Sequence, residues 1–266
     1  MTICVIGKLI FLGLTPTPWA LEFDNAAKST PLQTFVGAFK LMVNHKILML
    51  VVTFFYMGLL QTFVNGVYGT SIGRTQRFGQ DAKSLVGLHG IVNGVGGLIG
   101  GLTFTFFGKH LNCFGRHYVM VFGCFLQIGA SFIAFLDLPE TSPIENTNDT
   151  AYINPISQDL VIFGSFLLGM GNSCFLNQVY SLIADKFRDD SAAVFAIYKF
   201  VESMIVSAAY LYSNQLEMAY QLLILVSFCI FGTITFCCVE LDHYKQNHQF
   251  VLPNENPKEK CLEEFR

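Results

Sequence analysis

Charge is what this chain has least of. Only 13% of its 266 residues are Asp, Glu, Lys or Arg, about half the share an ordinary soluble domain carries. So thin a polar coat excludes a free-standing water-soluble domain, and a hydrophobic content of 52% excludes an unstructured one. Sixteen Lys and Arg against nineteen Asp and Glu leave a net charge of −3. No basic stripe is available to neutralise phosphates, so nucleic acid is not an expected partner. The eight cysteines include no CxxC pair and no Cys/His metal spacing; they read as small buried hydrophobes, and no metal is expected. The zinc-protease HExxH and the phosphate-binding P-loop are missing, and no two carboxylates stand at catalytic spacing. Neither an enzyme nor a cofactor is expected.

What the chain has in quantity is long apolar runs. A bilayer core about 30 Å thick asks for about 20 consecutive apolar residues in a spanning helix. Six runs meet that length, at about 47–68, 85–107, 117–137, 159–183, 192–212 and 219–239, named here spans A to F. The expected fold is an all-α membrane protein, a six-transmembrane-helix bundle over 47–240, followed by a polar cytoplasmic tail over 241–266. Residues 31–46 read as an amphipathic helix lying on the cytoplasmic surface, opened by Ser29-Thr30-Pro31, with Phe35, Phe39 and Met42 on one stripe.

Positive residues stay on the cytoplasmic side, which sets the orientation. With the N-terminus in the cytoplasm, twelve cations fall on the cytoplasmic side, and only Arg74, Arg77 and Lys83, all in the A–B loop, fall outside. Both termini are therefore expected in the cytoplasm, in a plasma membrane or an endomembrane. The C–D loop, 138–158, agrees: it has no Lys or Arg but carries Glu140, Glu145 and Asp149. It also holds a glycosylation sequon at Asn148-Asp149-Thr150, usable only on the luminal side. The three outer cations of the A–B loop have no account at this level.

Polar groups inside lipid are costly, so each marks a cavity or a helix contact. Span E carries Lys199 and Glu202 three residues apart, spaced for an intrahelical ion pair, although Lys199 also stands near enough to the cytoplasmic end to snorkel. Glu202 is the strongest candidate for a functional ionisable group, as a proton- or substrate-coupling carboxylate. In span D, Ser173 and Asn177 share a face, with Asn172 and Gln178 beside it; in span B, His89 and Asn93 share one. Span B is dense in glycine, and the pairs Gly90/Gly94, Gly96/Gly100 and Gly97/Gly101 let a neighbouring backbone come close.

The B–C connection, Gly108-Lys-His-Leu-Asn-Cys-Phe-Gly115-Arg116-His117, reads as a short cytoplasmic hairpin. It resembles in degenerate form the loop signature of the major facilitator superfamily, roughly G-x-x-x-D-R-x-G-R-R/K. Gly108, Gly115 and Arg116 match, while Asn112 and Cys113 replace the Asp and Arg of that family's charge-relay latch. Its glycines permit a turn, and Arg116 can reach helix ends or acidic groups. Four longer stretches resemble the uncoordinated-93-like branch of that superfamily: FVNGVYGTSIGRTQRFG (63–79), KSLVGLHGI (83–91), FGSFLLGMGNSCFLNQ (163–178) and DDSAAVFAIYKFVES (189–203).

The resemblance covers about 33–240 and leaves 1–30 as a non-family segment. It implies the C-terminal six helices of a twelve-helix transporter, with substrate held between two rocking halves. The chain is then expected to be a short isoform, a fragment or an incomplete gene model. Its expected partners are the lipid bilayer, an unidentified small solute, and the missing half, a second copy or another membrane protein. Cavity-facing residues would be Tyr56, Gln61, Asn172, Asn177, Tyr198 and Glu202. A non-transporting scaffold, trafficking chaperone or channel-regulatory subunit is the alternative, using the span B glycine face and the acidic loop.

Overall fold

A computed structural model of the protein describes residues 44–114, 116–153, 156–188 and 190–249. The segment 1–30, nearly all of the expected surface helix at 31–46, Gly115 and the tail beyond 249 lie outside the described residues. The elements are α1 (His45–Thr62), a π-helical turn π1 (Phe63–Tyr68), α2 (Gly69–Arg74), a 3-10 turn (Gln76–Asp81), α3 (Ala82–Phe114), α4 (Arg116–Asp137), α5 (Gln158–Lys186), α6 (Ser191–Ser213) and α7 (Met218–Gln249). Six helical stretches are long and apolar enough to cross a membrane: His45–Arg74, Gln76–Thr103, Arg116–Asp137, Gln158–Lys186, Ser191–Ser213 and Met218–Asp242. The chain is an all-α membrane protein built as a six-helix bundle.

Helix ends follow local chemistry. The Asn44 side chain accepts from the backbone amide of Lys46 to open α1, and Ser157 accepts from that of Leu160 to open α5. Each satisfies one of the amides left bare at a helix start. Asp159 in the first turn of α5 and Lys186 in its last turn complement the helix dipole. At the B–C connection α3 runs on through Gly108 to Phe114 and α4 opens at Arg116, so the turn is shorter than the glycine spacing implies. One glycine inside a long helix costs only about 1 kcal/mol, which α3 tolerates. Helix α7 likewise continues to Gln249, past the expected tail boundary at 241.

In lipid, apolar surface gives no drive to associate, so close backbone approach and internal hydrogen bonds hold the helices together. Helix α1 is central. Thr53 donates to the Gly232 carbonyl of α7 at 2.9 Å, and Phe55 stacks on Phe228 of the same helix. On its other flank Gly58 meets α6, where a Cβ would come within 2.8 Å of Ile205. Helix α3 packs on α5 and crosses it at glycines: a Cβ on Gly96 would overlap the Phe166 carbonyl, and one on Gly169 would overlap the Asn93 carbonyl. Helix α4 joins α5 to α7. Gln127 donates to the Leu168 carbonyl at 3.1 Å, and the thiols of Cys124 and Cys229 lie 3.5 Å apart. The least enclosed helices are α3 and α6.

Candidate functional site

The carboxylate of Glu202 is held from its own helix. Tyr198 donates its hydroxyl to one carboxylate oxygen at 3.1 Å, and the Lys199 ammonium meets the other at 2.6 Å. Spacings of three and four residues put these side chains on one face of α6. The ammonium also lies 4.7 Å from the Tyr198 ring centroid, in a cation–π arrangement. The Glu202 side chain is only 13% exposed and that of Lys199 58%, so the acid is enclosed and its counter-ion sits at the surface. Of the two possibilities for Lys199, the ion pair is the one formed.

Neighbouring helices complete the enclosure. The Tyr198 ring meets Phe54 of α1 at 5.1 Å and Tyr180 of α5 at 5.7 Å. Gly58 lets α1 approach so closely that a Cβ there would stand 2.9 Å from the Glu202 carbonyl. Tyr180 was not singled out in the sequence, because an aromatic in an apolar span carries no signal of its own.

The other expected cavity residues do not converge on this cluster. Tyr56 is fully buried against Phe175, with ring centroids 4.8 Å apart; it is a packed core position, not a cavity wall. Asn177 closes on its own helix, donating to the Ser173 carbonyl at 2.8 Å and its hydroxyl at 3.2 Å. Asn172 is half-buried on α5 and Gln61 is exposed on α1. Among the described residues no hydrogen bond links either to Glu202.

The glycines of α3 divide by face. Gly96 and Gly100 make the close approach to α5, Gly97 and Gly101 stand at ordinary contact distance from it, and Gly90 and Gly94 meet nothing within 4 Å. The expected pairing of Gly90 with Gly94 as a packing surface is therefore not used inside this bundle.

One end of the bundle is stitched by charge. Arg116 pairs with Asp185 of α5 at 2.5 Å and with Glu240 of α7 at 3.6 Å, so it does reach acidic groups on two helices. Lys186 donates to the Val239 carbonyl, and Lys46 lies 3.6 Å from Asp242. The other end carries the acidic loop, and there two of the three A–B-loop cations find their account. The Arg74 guanidinium donates to the Pro143 carbonyl and to Asn214, and Arg77 donates to the Asn148 carbonyl at 2.8 Å. Backbone bonds between Gln76 and Thr147, and between Thr147 and Arg74, pin the two loops together. Asp149 accepts from the Thr141 hydroxyl at 2.9 Å. Hydrogen bonds from Thr141 and Thr147, with the Arg77 charge nearby, hold its carboxyl below the usual range. Asn148 itself is exposed.

One feature is visible only in three dimensions, and one motif of the sequence is settled there. His89, buried in α3, reaches Ser165 of α5 and the Val64 carbonyl of π1. The only sequence signal was a histidine inside an apolar span; its partner lies 76 residues away. Gly69-Thr70-Ser71-Ile72-Gly73 has the G-x-S-x-G spacing of a hydrolase nucleophile elbow. That elbow needs a strand-to-helix turn presenting an exposed serine, whereas here the string lies in helix α2 and Ser71 is buried. Among the described residues no three His, Cys, Asp or Glu side chains gather as a metal site.

A family model described as "Ion channel regulatory protein UNC-93" matches residues 1–237. The chain belongs to the UNC-93 family. The matched interval opens at residue 1, upstream of the position near 33 where the resemblance is read from the sequence. The "UNC93-like protein MFSD11" of Xenopus laevis is 43% identical over 257 residues, covering 90% of this chain and 57% of the relative. The Xenopus tropicalis protein of the same name is 42% identical over 212 residues, covering 79% and 47%. "Protein unc-93 homolog A" of Danio rerio is 25% identical over 248 residues, covering 91% and 48%. The chain thus spans about half the length of the curated relatives it matches. No solved structure matches.

Proposed function

We propose that this UNC-93 family chain serves solute transport, with Glu202 as the coupling carboxylate and both termini in the cytoplasm. One observation carries the reading: a carboxylate inside a membrane-spanning helix, enclosed by two helices and held by Tyr198 and Lys199. Ionisable groups at that depth are expensive and mark pathways for ions, protons or substrates. A carboxylate with one hydroxyl donor and one ammonium partner has two arrangements open to it. The Lys199 ammonium occupies one carboxylate oxygen while the pair is closed, and another cation can take its place when that pair opens. Asn172 and Gln61 are the hydrogen-bonding groups offered to a small polar solute, with Asn177 held back by its bonds to Ser173. The orientation is supported by the grouping of Lys46, Arg116 and Lys186 at one end and the cation-free acidic loop at the other. The solute path would be completed by a second six-helix unit, a second copy or another membrane protein.

A channel-regulatory role is the second reading, favoured by the description of the matched family. Its interface would be the open Gly90–Gly94 face of α3 together with the acidic loop. Flux measured in proteoliposomes separates the two. Transport requires that Glu202→Gln abolish uptake while yield and membrane insertion stay at wild-type values. Absence of flux for every solute class tried, together with a channel subunit that co-purifies stably, would replace transport with regulation.

A further inference from the structure

A cleft of about 550 Å³ opens between π1–α2 and α3, with Asn65, Thr70, Arg74, His89, Gly90 and Asn93 on its walls. His89 is the one buried side chain among these six, at 6% exposure. Its surroundings set an unusual donor–acceptor problem. Nε2 lies 3.2 Å from the Val64 carbonyl oxygen, which only accepts, so Nε2 carries a hydrogen. Nδ1 lies 2.8 Å from the Ser165 hydroxyl oxygen, and that hydroxyl lies 3.0 Å from the Val161 carbonyl oxygen. Ser165 has one proton to give and two places to give it. Donated to Nδ1, it satisfies a neutral imidazole. Donated to Val161, it leaves its oxygen to accept from a protonated Nδ1, and the ring is then an imidazolium with both N–H groups bonded. The Val161 carbonyl is not stranded in the first state, because the Tyr68 hydroxyl donates to it at 2.8 Å. Both protonation states are fully hydrogen-bonded, and one hydroxyl rotation accompanies the arrival of a proton from the cleft at Nδ1, or its departure, without displacing a heavy atom.

We propose that His89 is a proton-binding site reached from this cleft, with the Ser165 hydroxyl as the rotor that accommodates both states. The charged and titratable groups around it are few. On π1 the Tyr68 ring lies 5.0 Å from the imidazole, and on α2 Arg74 shares the cleft wall while its guanidinium serves Pro143 and Asn214. On α5 the acid of the first turn is Asp159, at the exposed start of the helix. At the end of α4, Asp137 accepts from the Ser157 amide. No carboxylate bonds the ring among the described residues, so carbonyl and hydroxyl dipoles are its hydrogen-bonding partners. The site does not depend on the transport reading, since a regulatory subunit would bind a proton there equally.

Nitrogen NMR of the histidine-labelled full chain in lipid nanodiscs tests this, with the His89 signal assigned by its loss in His89→Gln. The neutral form should be the Nε2–H tautomer, converting to imidazolium as the sample is titrated downward from about pH 8 to about pH 4. Ser165→Ala removes both the donor to the neutral Nδ1 and the acceptor for Nδ1–H; the bond to the charged ring is the stronger, so the midpoint should fall by about one pH unit, a tenfold weaker proton affinity, while Ser165→Thr keeps the hydroxyl and should keep the midpoint. An Nδ1–H neutral tautomer in the wild-type chain, a single protonation state across the whole range, or a midpoint unmoved by Ser165→Ala would each overturn the proposal.

Discussion

Tyr198 and Glu202 stand one helical turn apart on α6, and the tyrosine hydroxyl donates to the carboxylate at 3.1 Å. The bond converts an aromatic packed between α1 and α5 into the element that orients an acid. Hydrogen bonds to charged groups contribute about 1.5–3 kcal/mol when partly enclosed. A double-mutant cycle with Tyr198→Phe and Glu202→Gln should therefore return a coupling of about 1.5 kcal/mol in denaturant or thermal unfolding. Additive effects of the two substitutions would remove the pairing from the account of the site.

The crossing of α3 and α5 makes a prediction from one substitution at two glycines. Alanine at Gly169 puts a methyl into the Asn93 carbonyl, while alanine at Gly94 meets nothing within 4 Å. Overpacking against backbone costs about 1–3 kcal/mol, whereas alanine in an unobstructed helix gains up to about 1 kcal/mol over glycine. Melting followed by fluorescence-detected size exclusion should show Gly169→Ala strongly lowered and Gly94→Ala unchanged or raised. Equal damage at both positions would mean that the Gly94 face is also occupied.

The six spans are legible because lipid demands about 20 apolar residues at a stretch, and each observed helix overlaps its expected run. The glycines announce α3 as a close-packing helix but not which face it uses. At about 100° per residue, the Gly90/Gly94 and Gly96/Gly100 pairs point to different sides, and only the position of α5 chooses between them. The Lys199–Glu202 pair is legible because it is local. The His89–Ser165 bond and the docking of Arg74 and Arg77 onto the acidic loop are not, because each partner is at least 69 residues away and several are backbone carbonyls, which every residue offers.

Acid should loosen the C–D loop before it disturbs the bundle. The Asp149 carboxyl is held below the usual range chiefly by the Thr141 and Thr147 hydrogen bonds. A depressed folded pKa contributes stability that is complete above the unfolded value, near 4, and is lost as pH falls through the folded value. Hydrogen-exchange protection in residues 141–150, each rate taken relative to that of the free peptide at the same pH, should be constant from about pH 5 upward and fall below about pH 4. Thr141→Val should reproduce much of that loss of protection at neutral pH. Protection that instead falls between about pH 5 and 8 would assign the loop's order to another group.

Orientation is tested at Asn148, the exposed residue that opens the Asn-Asp-Thr sequon. Its carbonyl already accepts from Arg77, but its side chain is free of any described hydrogen bond, so attachment of a glycan disturbs neither loop. The transferase works only in the lumen, so modification reports that the acidic loop lies outside and that Lys46, Arg116 and Lys186 face the cytoplasm. Expressed in eukaryotic cells, the chain should run heavier than after glycosidase treatment. Asn148→Gln should abolish the difference without changing yield, and a C-terminal epitope should stain only after permeabilisation. An unmodified Asn148 together with an epitope stained on intact cells would reverse the topology, and with it the side from which a solute or partner reaches Glu202.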